Sequence, residues 1–438
     1  LLGNKKIVQV AAVLGCIAMV QMPFIPVQWG TLYANMLGLC LTPYILCGVL
    51  YLFKLTRKDT DPLSIFAAFF LTFGALGAAV LAHPTAIFPP LILTAILILR
   101  NALKTWKNTE YTSRQKLFAW GLVVLITIVS AIIWYKTKNE VTWKPHLTYN
   151  AAFSNGFSGS TGFTVTDWLT GFTALFGTYL TFRNKQLRWL TVLYVSFVGL
   201  WIITASFKSG LLRSALSAPW YADHWRLAMQ VPLVSVVLSA IAITFIGHKI
   251  LAQTPKIKAR FGSFVARLFP TGVTLATGIL LLNSVGYAQA TQNTTDVFRA
   301  TPEAAPLLSL NERDVLLHLD KVAQKGDKVA GNPWTGTALA TAFTKADALF
   351  PHLLGDYSED YYELAEKIAT GAGKACKIAA ELQVKYVLDF GDKQVLQSWL
   401  ERDFYGPIVN LDKKDTPALT KIYSKGNARL YEITGCKN

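Results

Sequence analysis

Acidic residues are nearly missing from the first two thirds of this 438-residue chain: residues 1–288 hold six Asp and Glu against 24 Lys and Arg. Charge of either sign is scarce too, 16% of all residues against 52% hydrophobic, well away from the balance of a soluble domain. The chain also lacks Cys-X-X-Cys pairs, zinc-finger spacing, a P-loop and a Gly-rich dinucleotide fingerprint, which argues against a nucleotide-driven pump. No charged residue stands at the centre of an apolar run and no internal repeat is visible, features that a secondary transporter usually shows. Residues 289–438 differ, with 18 basic and 20 acidic side chains. Two domains are expected, a basic apolar one over 1–288 and a near-neutral one over 289–438 long enough to bury its own core.

What is present in the first part is a series of apolar runs near the roughly 17 to 25 residues that a bilayer demands. Nine spans are expected, over 7–27, 33–53, 62–82, 86–103, 117–135, 167–182, 189–207, 228–247 and 270–288. With the first span starting inside, the inner loops collect 16 bases, Lys107 and Lys258 among them. The outer loops hold six: Lys136, Lys138, Lys144, Lys208, Arg213 and Arg226. The positive-inside rule then places the N-terminus of the chain in the cytoplasm and the C-terminal domain outside the plasma membrane. Topology explains the basic balance, and nothing in it requires nucleic acid as a partner. Residues 249–267, basic with apolar residues between the charges, are expected to form a cytosolic interfacial helix.

Residues 217–226, Ser-Ala-Pro-Trp-Tyr-Ala-Asp-His-Trp-Arg, place an acid, a histidine and a guanidinium between two apolar spans. Asp223 and Arg226 stand three apart and share a face of a helical turn, while Trp220, Tyr221 and Trp225 supply an interfacial aromatic surface. The same pattern also serves as a plain helix-end anchor. His83, in Ala82-His83-Pro84, falls on the same side as His224, so a divalent cation held by His83, His224 and Asp223 is one open possibility. The outer loop 136–166 carries the turn-rich stretch 154–163 and is expected to be a flexible flap or a re-entrant segment over the outer face, or else a plain connection.

After a polar linker at 289–296, helical and strand-like stretches alternate, giving an α/β class. Helices are expected at 311–324, 335–343, 359–370 and 374–382, and strands at 328–331, 348–350, 385–390 and 428–433. Asn332 and Trp334, in the turn after the first strand, are either a ligand contact at a strand-to-helix switch or a capped helix start with a core tryptophan. Cys16, Cys40 and Cys47 lie in apolar spans and are expected to be small buried hydrophobes. Cys376 and Cys436 are the only pair in the outward domain, so a disulfide between them is expected.

Ala82-His83-Pro84, Pro219-Trp220-Tyr221 with Asp223 and Arg226, Gly331-Asn332-Pro333-Trp334-Thr335-Gly336, Phe350-Pro351-His352 and Tyr386-Val387-Leu388-Asp389-Phe390-Gly391 occur in this order. Together they resemble a group of large actinobacterial multi-spanning membrane proteins that looks like GT-C glycosyltransferases. The resemblance implies a polyprenyl-phosphate sugar donor and an envelope glycan or lipid acceptor at the outer membrane face. It also implies a catalytic aspartate in the first outer loop. Residues 24–32 hold no carboxylate, so that loop is expected upstream of Leu1.

Such chemistry needs a carboxylate base, cations for the lipid phosphate and a groove opening to the outer leaflet. Arg226, with Lys208 or Arg213 nearby, supplies the cations, and Asp223, His224, Trp220, Tyr221 and His83 surround it. A nonenzymatic subunit of an envelope assembly complex would show the same belt and outer domain without a catalytic acid.

Overall fold

The computed structural model describes residues 5–19, 21–28, 32–55, 62–137, 143, 145–162, 166–208, 210–298, 305, 307–353, 355–395 and 403–436. The chain divides into two compact units, Leu1–Thr294 and Thr295–Asn438. The expected linker at 289–296 is helical instead, part of α14. Its Ala290 carbonyl and Thr294 hydroxyl accept hydrogen bonds from Gln28 Nε2, which satisfies polar groups that a linker would leave to water.

The first unit is helical: α1 (Lys5–Ala18), α2 (Gln21–Gln28), α3 (Tyr33–Leu55), α4 (Pro62–Ala82), α5 (Phe88–Lys107), α6 (Ser113–Thr137) and α7 (Tyr149–Phe157). It continues through α8 (Trp168–Arg183), α9 (Arg188–Ser206), α10 (Leu211–Ser217), α11 (His224–Ala228), α12 (Pro232–Leu251), α13 (Thr254–Leu282) and α14 (Val285–Phe298). Among the described residues, eight helical stretches are long and apolar enough to cross a membrane. They match eight of the nine expected spans. The ninth, over 167–182, is α8, which has only 16 residues and reaches about 24 Å at 1.5 Å per residue. The basic stretch after α12 leads into the last span through α13, in which Gly262 (φ 83°, ψ 170°) is not helical and separates a short basic helix over 254–261 from the part that follows.

Small residues bring these helices together. α12 packs against both α1 and α8, and a Cβ at Gly15 would lie 2.8 Å from the Val236 carbonyl oxygen. Gly177 in α8 meets the backbone of Leu238 in the same way. Close backbone approach of this kind is how apolar helices gain packing when the solvent is itself apolar. The core holds Phe88, Tyr194, Phe197, Trp201 and Trp220, while Leu117, Phe118, Leu125 and Ile128 of α6 and Phe66, Phe69 and Phe70 of α4 face outward. Cys16, Cys40 and Cys47 are likewise exposed, contrary to expectation, since an apolar span turns much of its hydrophobic surface away from the bundle.

The expected flap is not a flap over its described part. Residues 154–157 finish α7, and Ser158, Ser160 and Thr161 are buried; Thr161 donates to the Ala228 carbonyl and Ser160 Oγ accepts from Asp167 N. Phe163, Arg57, Lys58, Lys138 and Lys144 lie outside the described residues.

The second unit is α/β. After α15 (Leu310–Val322) come β1 (Lys328–Gly331), α16 (Ala340–Phe343), β2 (Asp347–Ala348), α17 (Glu359–Lys367), α18 (Ala375–Leu382), β3 (Val384–Asp389), β4 (Leu419–Lys425) and β5 (Ala428–Ile433). The strand order is β2-β1-β3-β5-β4, parallel from β2 to β3 and antiparallel beyond. Alternation along the strands feeds two cores. Val329, Tyr386, Leu388 and Leu430 pack with Leu316 and Leu319 of α15, while Ala330, Val387 and Tyr431 pack with Leu364, Ile378 and Phe350 on the other face. β4 is the strand that the sequence does not announce, because its burial lacks alternation and most of its side chains are partly or fully exposed.

Cys376 and Cys436 are disulfide-bonded across 60 residues, tying α18 to the segment after β5. Closing a loop of that length restricts the unfolded chain by about 4 kcal/mol in the loop-entropy description. Mass spectrometry without reduction is expected to recover the linked peptide, and Cys376→Ser to lower the unfolding midpoint of this unit. Free thiols at both positions would contradict the bond.

Candidate functional site

The turn at residues 218–223 is built by two consecutive left-handed residues. Tyr221 (φ 62°) and Ala222 (φ 52°) are neither glycine nor asparagine, and each such residue costs roughly 1–3 kcal/mol. The turn is closed by Tyr221 N–H to the Ala218 carbonyl and Ala222 N–H to the Ser217 carbonyl. Its effect is to deliver Asp223 as the N-cap of α11, where Oδ1 accepts the Trp225 N–H at 2.8 Å. A helix start favours a carboxylate both by this bond and by its dipole.

Arg226, one turn on, donates through Nε to Asp223 Oδ2 at 3.2 Å, and its guanidinium lies 4.6 Å from the centre of the Tyr221 ring. Its Nη1 donates to His83 Nε2 at 2.8 Å, a contact across 143 positions of sequence. An arginine only donates, so His83 accepts at Nε2, and its Nδ1 lies 2.8 Å from Thr85 Oγ1 and 3.3 Å from the Thr85 backbone nitrogen. Thr85 in turn donates to Asn35 Oδ1 at 3.2 Å. His83 sits in the connection between α4 and the helical turn before α5. Burial, and then the Arg226 cation, push its pKa down to about 4, in keeping with a neutral acceptor. Asp223 is buried and its pKa is pushed up to about 6 by burial, while Arg226 and the Trp225 N–H hold it as a carboxylate at neutral pH. The ends of α3, α4, α5 and α11 therefore meet at one end of the bundle. Arg226 keeps 20% of its side-chain surface exposed, and among the described residues its Nη2 makes no hydrogen bond.

A second guanidinium lies on the other side of the turn. Arg213 of α10 is buried at 1% exposure, donating to the Thr204 carbonyl through Nε and Nη2 and to the Ala222 carbonyl through Nη2. Its Nη1 has no hydrogen-bond partner among the described residues, and no carboxylate pairs with it there. Beside it, the His146 and His224 rings stack with centroids 3.7 Å apart, and neither ring nitrogen of His224 has a partner among the described residues. Burial, and then the Arg213 cation, lower the pKa of His146. Two guanidinium groups thus contact residues 222–223, and among the described residues one carboxylate answers them, so the described part of the cluster carries a net positive charge.

Residues 1–435 match the family described as a family of unknown function, DUF6541. The chain belongs to that family. No match was found among curated proteins.

The DUF6541 chain thus brings Asp223, Arg226, His83 and Tyr221 together as one cluster. Trp220 stands apart from it: fully buried, it packs with Phe88 and Trp134 at centroid distances of 4.8 and 5.2 Å as part of the core and not of an interfacial belt. The metal possibility fails on partners. His83 Nε2 is held by Arg226 and His224 is stacked on His146, and among the described residues no group of three His, Cys, Asp or Glu side chains is arranged to hold a metal ion. Of the two readings of Trp334, the structure agrees with the core one. This residue is 3% exposed and lies in the core beneath the sheet, its N–H held by Asn332 Oδ1 at 3.0 Å, so Asn332 is a cap and Trp334 is packing. Asp167, passed over in the sequence, is the other buried carboxylate of this unit among the described residues. It caps α8 through Leu169 and Thr170 N–H and accepts Gly286 N–H at 2.9 Å.

Proposed function

We propose that this protein works at the outer face of the plasma membrane in cell-envelope glycan assembly, binding a polyprenyl-phosphate sugar donor as a GT-C-like glycosyltransferase does. The observation that carries this reading is the charge of the end cluster, two guanidinium groups on residues 222–223 against, among the described residues, the single carboxylate of Asp223. A lipid phosphate supplies the missing anion, and Arg226 presents Nη2 toward it from the end of a membrane-length helix. The outward apolar faces of α4 and α6 support immersion in lipid, because soluble proteins rarely expose apolar patches beyond a few hundred Å².

One observation favours a second reading, a lipid-binding subunit without catalysis. Among the described residues both buried carboxylates of this unit are engaged, Asp223 by Arg226 and Asp167 by three backbone N–H groups, and neither is placed as a general base. Incubation with a polyprenyl-phosphate sugar and a glycan acceptor separates the two. Release of polyprenyl phosphate with glycosylated acceptor supports the enzyme, and retention of an intact donor supports the subunit.

The orientation has its own test. In intact cells Lys328 is expected to react with a membrane-impermeant amine reagent, whereas Lys107 and Lys258 remain protected until the membrane is opened. Labelling of Lys107 and Lys258 in sealed cells would reverse the assignment.

A further inference from the structure

The C-terminal unit contains a second polar site that the lipid reading does not use. From β1 the chain passes through α16 to β2 on one side, then through α17 and α18 to β3 on the other, so β1 and β3 are neighbours whose connections leave in opposite directions. Ala340 of α16 packs with the core on one face of the sheet, and Leu364 and Ile378 of α17 and α18 with the core on the other. Where connections part in this way, the carboxyl ends of the two strands leave a crevice that no crossover helix covers. A cavity of about 170 Å³ lies at that end, walled by Ser309, Asn311, Glu312, Thr335, Lys393 and Asn427 with Phe390 beside them. Thr335 follows β1, Phe390 and Lys393 follow β3, and Asn427 precedes β5, which runs antiparallel beside β3.

We infer that this crevice binds a neutral saccharide. The wall offers both hydrogen-bonding senses. Asn311 and Asn427 present amides that donate and accept, and Thr335 Oγ1 donates to the Asn332 carbonyl and keeps its lone pairs. Glu312 accepts Ser309 N–H with Oε2, while its Oε1 makes no hydrogen bond among the described residues. Lys393 is exposed, and its charge and that of Glu312 cancel. An anionic ligand finds no cradle here, because the segment after β1 is Gly331-Asn332-Pro333-Trp334. Proline has no N–H, and Trp334 N–H is taken by Asn332. A polyhydroxylated neutral ring uses mixed donors and acceptors at balanced charge, and Asn311 and Asn427 are exposed enough to meet it. The site does not depend on lipid binding at the helix bundle.

The test uses the full chain in a detergent without sugar groups, such as a dimethylamine oxide. Saturation-transfer NMR is run with the methyl glycosides of glucose, galactose, mannose and arabinose, one at a time. At least one is expected to receive saturation. Asn311→Ala with Asn427→Ala should weaken that signal by about tenfold in apparent affinity, for two lost hydrogen bonds, with thermal unfolding of the unit unchanged. Lys393→Met, at an exposed position, gives a second variant in which binding should also fall. Absence of transfer from all four glycosides overturns the proposal, as does full binding in folded variants. Displacement of the glycoside by inorganic phosphate overturns the neutral class.

Discussion

Arg226→Ala is expected to weaken polyprenyl-phosphate binding about ten- to a hundredfold, since a charge-assisted hydrogen bond contributes roughly 1.5–3 kcal/mol. Native mass spectrometry of the purified protein with a polyprenyl phosphate measures it. Arg226→Lys retains the charge and loses the planar fork that bonds Asp223, His83 and a third partner together, so its binding should fall between wild type and alanine. Asp223→Asn should act more mildly, because asparagine still caps α11 and the Arg226 cation stays in place. A change at Lys138, in the segment between α6 and α7, serves as the comparison and is expected to leave binding near the wild-type value. Unchanged binding in a folded Arg226→Ala protein would leave the cluster as an ion-paired helix anchor.

The second large effect is structural. Trp334→Ala removes a side chain 3% exposed from a core shared with Phe350, Leu364, Ile368 and Val387, and losses of this kind cost about 3–5 kcal/mol. Opening of the sheet should then become at least about a hundredfold more frequent by the same arithmetic. Hydrogen exchange resolved by mass spectrometry reads this directly in the amides of β1 and β3, Lys328–Gly331 and Val384–Asp389. The amides of α12 in the other unit serve as the internal control. Retained protection in β1 and β3 would mean that Trp334 is not the packing residue described above.

Trp334 and Arg226 also mark how far residue patterns carry. A tryptophan after a strand and before a helix fits either a ligand platform or a core plug, since hydropathy is the same in both. Only the partners decide, and here the Asn332 cap turns the indole inward. The Asp223–Arg226 pair was legible because three residues make one helical turn. The other half of its environment was not. His83 reaches Arg226 across 143 positions, and no local spacing encodes that meeting. Arg213 is harder still, for a basic residue on a loop between apolar spans reads as exposed, yet the left-handed turn at Tyr221 and Ala222 offers it the Ala222 carbonyl and α9 offers it the Thr204 carbonyl.

By itself the sequence determined the features that depend on composition and short-range spacing. These are, among the described residues, eight of the nine expected apolar helices of membrane-spanning length, a mixed C-terminal domain whose helix α15 and strands β1, β3 and β5 fall close to where apolar alternation puts them, and the Cys376–Cys436 pair. The tertiary structure decided whatever depends on which helix ends meet. It buried the turn-rich stretch after α7 and turned the cysteines of α1 and α3 outward. It also gathered Asp223, Arg226, His83 and Arg213 at one end of the bundle. The physical reason is range: hydrophobic periodicity acts over a few residues along one helix, whereas a charge inside a bundle takes its partners from whatever the packing of other helices brings within about 3 Å.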